Sequence, residues 1–313
     1  MADGVLALDI GGTNIKAGIV DRAGGIHDMQ HRPSHAAEGR EALLSVVREI
    51  CATHCSHHTV RAIGAGTPGT VDHRTGTVLH MQTHIPDWSG TPLGGLLAEW
   101  SGLPVAVDND VNCIALGENW KGAGRGSRCQ VSLALGTGLG GGVVIDGKLL
   151  HGATGNAAEL GHIIIRPGGD PCTCGNFGCA EVYTAPGAMT RKARHYLANG
   201  ISSSLTAYDS FSAKEIFSEA ERGDRMCRRL VNDAVQVLAL LLWNLNQTFD
   251  PDIFILGGGL IQAGSTFTDP LRRELAQYYR PAGLPAGFAL KVSELGDNAG
   301  ILGAAKLAWD HNA

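Results

Sequence analysis

The 313 residues carry 25 Lys and Arg against 30 Asp and Glu, a net charge of −5 that leaves no basic excess for a nucleic-acid footprint. With 44% apolar and 18% charged residues the chain is long enough for two domains with separate cores. The opening MADGVLALDIGG runs straight into a strand pattern without a charged or apolar leader, so a cytoplasmic protein is expected, with its eight cysteines as ligands or buried thiols rather than disulfides.

Val5 to Ile10 is an apolar run containing Asp9, followed by Gly11-Gly12-Thr13-Asn14 and a second run from Ile15 to Asp21. The pattern predicts strand, tight turn, strand. Backbone N–H groups of a glycine turn can converge on phosphate, and a carboxylate at the strand end can hold a metal ion bridging phosphates. An ordinary hairpin has the same pattern. Residues 39–56 have helical apolar spacing through Leu43, Val47 and Ile50. The helix ends in CATHCSHH, around Cys51 and Cys55; a solvated, dipole-favoured helix end is expected there over a second metal site.

Val60 to Gly66 predicts a strand running into the turn Thr67-Pro68-Gly69-Thr70, Thr75 to Leu79 another strand, and Leu93 to Trp100 a short helix. Pro104 to Val107 predicts a buried strand that ends in Asp108-Asn109-Asp110 before a helix from Val111 to about Trp120. Asp108 or Asn109 would cap that helix and Asp110 would favour its positive end. Capping does not exclude a catalytic use of the same residues. Lys121 to Ser127 is a polar, glycine-rich crossing. It sets the expected division: an N-terminal lobe of 1–120 plus 297–313, and a larger lobe of 121–296.

Val131 to Leu135 predicts a strand, then come Gly136-Thr137-Gly138-Leu139-Gly140-Gly141-Gly142, Val143 to Asp146, and the hairpin signal Asp146-Gly147. A dinucleotide fingerprint needs a helix after the glycines, and the chain has no Walker A sequence. A second phosphate-gripping hairpin remains. Between Glu159 and Glu181 lie His162, Cys172, Cys174 and Cys179, enough for a closed Cys3His zinc site of the structural kind. Such an ion would order a loop rich in Gly and Pro. Free thiols or a redox pair are the alternative.

Helices follow over Gly187–Ala198, Ala213–Arg222 and Arg225–Thr248. Asp233, Gln236, Asn244 and Asn246 interrupt the apolar run of the last, which predicts a buried interdomain or interface helix and no membrane span. Asp252 to Leu256 predicts a strand ending in Gly257-Gly258-Gly259, where a purine can lie against bare backbone, and Ile301 to Trp309 a closing helix.

These motifs together resemble the ROK family (repressors, open reading frames and sugar kinases). The match rests on E-x-G-H followed by C-x-C-G-x-x-G-C-x-E, on D-x-G-G-T, N-D-x-N-C and L-G-G-G, and on L-x-G-T-G-x-G with Ala134 in place of its Leu, and covers nearly the whole chain. The resemblance implies an α/β, actin-like (hexokinase-type), two-lobed fold with the site in the cleft. It implies transfer of the ATP γ-phosphoryl group to the 6-hydroxyl of a hexose, with Mg²⁺ and a structural Zn²⁺. Asp110 would be the general base, and Asn109 would bind sugar hydroxyls beside the backbone of Gly69. Glu159 and His162, with Glu181, would hold the reducing end, His162 also giving a nitrogen to zinc. Asp9, Gly11, Gly12, Thr13, Gly136, Thr137 and Gly138 would grip the phosphates, and Gly257, Gly258 and Gly259 the adenosine.

Family members are commonly dimers or tetramers, so a homodimer or homotetramer is expected. A repressor would need a helix-turn-helix ahead of Asp9 and is not expected, and a non-catalytic sugar-binding regulator would be expected to lose Asp110 or the phosphate turns. Glucokinases of the family commonly have Asn where this chain has His84, in Thr83-His84-Ile85-Pro86-Asp87-Trp88, and Gly where it has Ala158. Ala157-Ala158-Glu159-Leu160-Gly161-His162 is similar to N-acetylmannosamine kinases; Thr67 to Asp72 and Leu116 to Gly124 look more like glucokinases. Glucose is the expected substrate, with an N-acetylhexosamine, most of all N-acetylmannosamine, as the alternative.

Overall fold

The structure, a computed structural model, describes residues 3–81, 85–279 and 288–311. Thr83 and His84 lie outside the described residues. Strands β1 (Asp3–Ile10), β2 (Asn14–Val20) and β3 (Ile26–Pro33) lead to helix α1 (Arg40–His57). Then come β4 (Thr59–Thr67), β5 (Thr70–Asp72), β6 (Thr77–His80), α2 (Leu93–Ser101), β7 (Val105–Asn109) and α3 (Asp110–Lys121). β8 (Cys129–Leu135), β9 (Leu139–Ile145) and β10 (Lys148–Leu149) precede the single-turn α4 (Glu181–Thr184), α5 (Pro186–Ala198), α6 (Ala213–Arg222) and α7 (Arg225–Phe249). β11 (Ile253–Gly257), α8 (Ser265–Tyr278), β12 (Ala289–Val292) and α9 (Ala299–His311) complete the order. One five-stranded sheet runs β3-β2-β1-β4-β7, another β10-β9-β8-β11-β12, and β5 pairs with β6.

Two compact units divide the chain: 1–130 with 142–158 and 293–313, and 131–141 with 159–292. This differs from the division expected at 120 and 297. The glycine-rich stretch after α3 stays in the first unit because Glu118, fully buried, collects it. Glu118 accepts hydrogen bonds from the Ala123 and Leu295 N–H groups at 2.8 and 3.0 Å and from Ser293 Oγ at 2.5 Å. One carboxylate thereby fastens the end of α3 to the segment entering α9.

In the first unit β1 is antiparallel to β2 and parallel to β4, which is parallel to β7. Covered on both faces, β1 has a nearly continuous apolar run. Leu6, Leu8 and Ile10 pack in one core cluster with Leu43, Val47 and Ile50 of α1, while Val5 and Ala7 belong to another with Ile301, Ala304 and Ala305 of α9. α9 lies so close to its neighbours that glycine is required at the crossings. A Cβ on Gly64 would fall 1.8 Å from the Ala304 carbonyl oxygen, and one on Gly303 1.7 Å from that of Cys113 in α3. β3 has no counterpart in the sequence expectation: it pairs with β2 at the sheet edge, and its residues IHDMQHRP are mostly polar.

In the second unit α7 buries Leu230, Val237, Leu238, Leu241, Leu242 and Leu245. It packs against α4, α5, α6 and α8 of the same unit, which accounts for its apolar face. α6 has a full capping box, Ser212 with Glu215, and ends at Gly223 in the left-handed region. α8 and β12 were not foreseen; Pro270 inside α8 removes a backbone donor and disguises the helix in the sequence. No helix among the described residues is long and apolar enough to cross a membrane.

Candidate active site

The candidate residues of the first unit come from one end of its sheet. β1, β4 and β7 are parallel, with Asp9 opposite Gly66 and Thr67 opposite Asn109. Their carboxyl ends therefore deliver Asp9, the Gly69 turn, and Asn109-Asp110 to the same edge, where ligands of open α/β sheets bind. Asn109 is the N-cap of α3: its Oδ1 accepts from the Val111 and Asn112 N–H groups at 2.8 and 3.2 Å. Its Nδ2 donates to the Gly69 carbonyl at 3.1 Å, tying the two strand ends together. Of the two expected caps Asn109 is the one used. Asp110 stands half-buried in the first helical turn, one carboxylate oxygen accepting its neighbour's N–H at 2.9 Å.

Asp9 sits against the start of α9, where a Cβ on Gly300 would lie 2.7 Å from its Cγ and Oδ2. Burial raises the Asp9 pKa, Lys16 opposes that, and Asp297 adds to it. A carboxylate so destabilised favours a cation beside it. In the adjoining turn, the Gly11 N–H donates to the Asn14 carbonyl at 2.9 Å, which closes the loop around Gly12 and Thr13. Gly300 went unnoticed in the sequence, although a glycine in the first turn of a helix is a signal of close approach.

The second unit holds the rest. The Gly136 N–H donates to the Gly138 carbonyl at 3.0 Å, making the tight turn expected at Gly136-Thr137-Gly138. Glu181, expected with the sugar-binding residues, lies against this turn: its Oε2 accepts from the Leu139 N–H at 2.9 Å. Gly258, at φ 90, has its bare face 2.3 Å (to a built Cβ) from the Leu135 carbonyl, so packing alone demands glycine there. Gly259 faces open space and leaves the backbone after β11, beyond Gly257, bare on that side.

His162, Cys172, Cys174 and Cys179 converge, with all four ligand atoms within 4.8 Å of one another. His162 Nδ1 is 3.6 Å from Cys172 Sγ, and the sulfurs of Cys174 and Cys179 are 3.6 Å apart. Tetrahedral zinc with bonds of about 2.3 Å would set its sulfurs roughly 3.8 Å apart, so the donor set fits. With Nδ1 among the thiols, His162 keeps Nε2 for another partner. The Cys179 thiol is pushed up to about 12 by burial and then by the neighbouring thiols. A divalent cation reverses that penalty by binding the thiolate.

The loop around this quartet is also held by protein. The Ile165 N–H donates to the Gly178 carbonyl at 2.8 Å, and a Cβ on Gly178, at φ 79, would fall 1.7 Å from the Arg166 carbonyl oxygen. Arg166 pairs with Asp233 of α7 at 2.6 Å, and Lys192 of α5 bonds Asp170 at 2.7 Å. None of these clamps was foreseen, because charges far apart in sequence carry no mutual signal. Ahead of the loop, Glu159 is exposed and its carbonyl accepts from the His162 N–H at 3.1 Å. Ala158 has φ 67, a left-handed backbone that costs a non-glycine residue about 1–2 kcal/mol. That conformation explains a usual glycine at this position.

The histidine-rich end of α1 is exposed at Ser56 and His57, as expected, but the turn before them is not solvated. His54 is fully buried, its Nδ1 hydrogen-bonded to the Ile50 carbonyl at 2.9 Å, and His58 pairs with Asp28 at 2.9 Å. Cys51 is buried and Cys55 half-buried, and among the described residues the quartet at His162 is the group placed to hold a metal ion.

The ROK family model matches residues 5–311. A glucokinase of Thermotoga maritima is 34% identical over 307 residues, 97% of this chain and 96% of that protein. A ROK hexokinase from Thermus thermophilus superposes with a TM-score of 0.86 at 32% identity, covering 98% of each chain. A ROK family glucokinase from Streptomyces griseus, solved with glucose and AMPPNP, gives a TM-score of 0.80 at 34% identity, covering 98% of this chain and 99% of that one. The fold is the mixed α/β, actin-like ATPase fold of hexokinases, and the class is that of ATP-dependent sugar kinases. Within that class the chain belongs to the ROK family.

Proposed function

We propose that the protein transfers the γ-phosphoryl group of ATP to the 6-hydroxyl of glucose, with Asp110 as general base. The observation that carries this is the delivery of Asp9, Gly69 and Asn109-Asp110 to one edge by three parallel strands. Two carboxylates at such an edge suit the two tasks of the reaction. Asp110, on the rigid first turn of α3, accepts the hydroxyl proton as the sugar oxygen attacks phosphorus and ADP departs. Asp9 with the Gly11-Gly12-Thr13 turn, and the Gly136-Thr137-Gly138 turn, hold the phosphates, with the adenosine at Gly257 to Gly259.

Mg²⁺ bound at Asp9 would offset the negative charge of the phosphates. His162, Cys172, Cys174 and Cys179 would hold zinc, which keeps the loop from Glu159 to Glu181 in shape. Glu159 and His162 Nε2 bind the reducing-end hydroxyls, Glu181 backs the second phosphate turn beside them, and Asn109 with the Gly69 backbone meets the ring. Glucose is favoured as acceptor by the 34% identity to the Thermotoga maritima glucokinase and by the glucose-bound relative from Streptomyces griseus.

Two measurements test the reading. Asp110→Asn lowers turnover about 10²-fold or more while sugar affinity changes far less; near-normal turnover removes the base assignment. Comparison of kcat/KM for glucose, mannose, fructose, N-acetylglucosamine and N-acetylmannosamine is expected to place glucose first. A higher value for N-acetylmannosamine replaces the substrate, and a preference for fructose beyond about tenfold contradicts the pyranose site, because Glu159 and His162 are assigned here to the reducing-end hydroxyls of a pyranose.

A further inference from the structure

Asp108, the residue before the α3 cap, is 1% exposed, so its carboxylate has left water and needs partners. Its Oδ1 accepts from the Asn109 N–H at 2.7 Å and from Asn112 Nδ2 at 2.8 Å, both at the start of α3. Its Oδ2 meets Nε2 of His151, in the segment after β10, at 2.5 Å. The His151 ring lies flat on that of His73, in the turn between β5 and β6, with centroids 3.8 Å apart and an interplanar angle of 6°. Burial, and then the His151 imidazole, hold the His73 pKa below the ordinary histidine range. The His73 ring covers the His151–Asp108 pair.

The arrangement ties three pieces of chain together at the edge of the sheet. Thr70 Oγ1 also donates to Asn156 Oδ1 at 3.0 Å, so the segment from His151 is pinned twice, to the end of β7 and to the Gly69 hairpin. That segment runs directly into Glu159. Without His151, the buried Asp108 Oδ2 loses its partner. The carboxylate must then turn or admit water, and its other oxygen carries the Asn109 N–H and Asn112 with it. We propose that His151 is a positioning residue for phosphoryl transfer: through Asp108 it holds the first turn of α3, and with it Asp110, in the orientation the acceptor hydroxyl requires. The proposal rests on the assignment of Asp110 as base.

The test compares His151→Phe, which keeps a ring on His73 but cannot hydrogen-bond, with His151→Gln, whose amide offers a donor near the place of Nε2. kcat and KM for glucose and ATP are measured, with a melting curve for each variant. His151→Phe is expected to lower kcat at least tenfold with KM for ATP within twofold of the parent, and His151→Gln to recover most of the loss. Should the Phe variant not fold, His151→Leu takes its place with the same expectations. Turnover within twofold of the parent in the Phe or Leu variant, or equal impairment with Gln, overturns the proposal. Asp110→Asn assayed in parallel separates the two readings. If it abolishes turnover while His151→Phe does not, only the positioning role fails; if it is near normal, the base assignment fails and takes the positioning role with it.

Discussion

Gly300→Ala separates stability from function at Asp9. The new Cβ would stand 2.7 Å from Asp9 Cγ and Oδ2, whereas non-bonded carbons rest about 3.5 Å apart, so something must yield by roughly 0.8 Å. α9 is locked by Gly303 against Cys113 and by Gly64 against Ala304, and β1 lies in the centre of its sheet. The short Asp9 side chain is the part free to move. The cost to folding is offset by helix propensity, which favours Ala over Gly by up to about 1 kcal/mol, so the melting temperature should stay near that of the parent. Catalysis has no such offset. Misplacing a reacting or phosphate-holding group by about 1 Å costs on the order of 10²-fold, so kcat/KM for ATP is expected to fall ten- to a hundredfold. A coupled assay with MgATP varied at saturating sugar, beside a thermal melt, measures both. A variant that melts normally and keeps kcat/KM for ATP within twofold would show that Asp9 is not at the phosphates.

Purified protein should contain about one zinc per chain, and Cys174→Ser should lose metal and sugar affinity together, because His162 loses its anchor; retention of zinc in that variant, or its loss on replacing Cys51 and Cys55, points to a different site. Asp224, the N-cap of α7, is opposed by burial, but N–H groups of Cys227 and Ser204 at 2.8 and 2.6 Å outweigh this and hold its carboxyl well below the usual carboxylate range. A depressed carboxylate contributes stability above its unfolded pKa of about 3.9 and loses it as the pH falls further. Asp224→Ala should therefore lower stability by about 1 kcal/mol at pH 7, and the difference should shrink in denaturant titrations below about pH 4; a difference that does not change with pH contradicts the account.

The sequence alone carried the local chemistry. Asp9 before Gly-Gly-Thr, Asp110 at a strand-to-helix junction, and His162 with three cysteines are each written within a few consecutive residues. Turns, caps and zinc loops are themselves short-range structures, so their residues must be neighbours. The polar strand β3, the proline-bearing α8 and the buried His54 escaped because local pattern and propensity there point away from what packing imposes. Tertiary structure decided the pairings across long stretches of chain: Asp9 with Gly300, Glu118 with Ser293, Arg166 with Asp233, Asp108 with His151. It also decided that Glu181 braces the Gly136-Thr137-Gly138 turn. A single side chain has no preferred partner far along the chain until backbones have packed, and in the first unit the packing is set by α9 lying against β4 and α3 at distances only glycine allows.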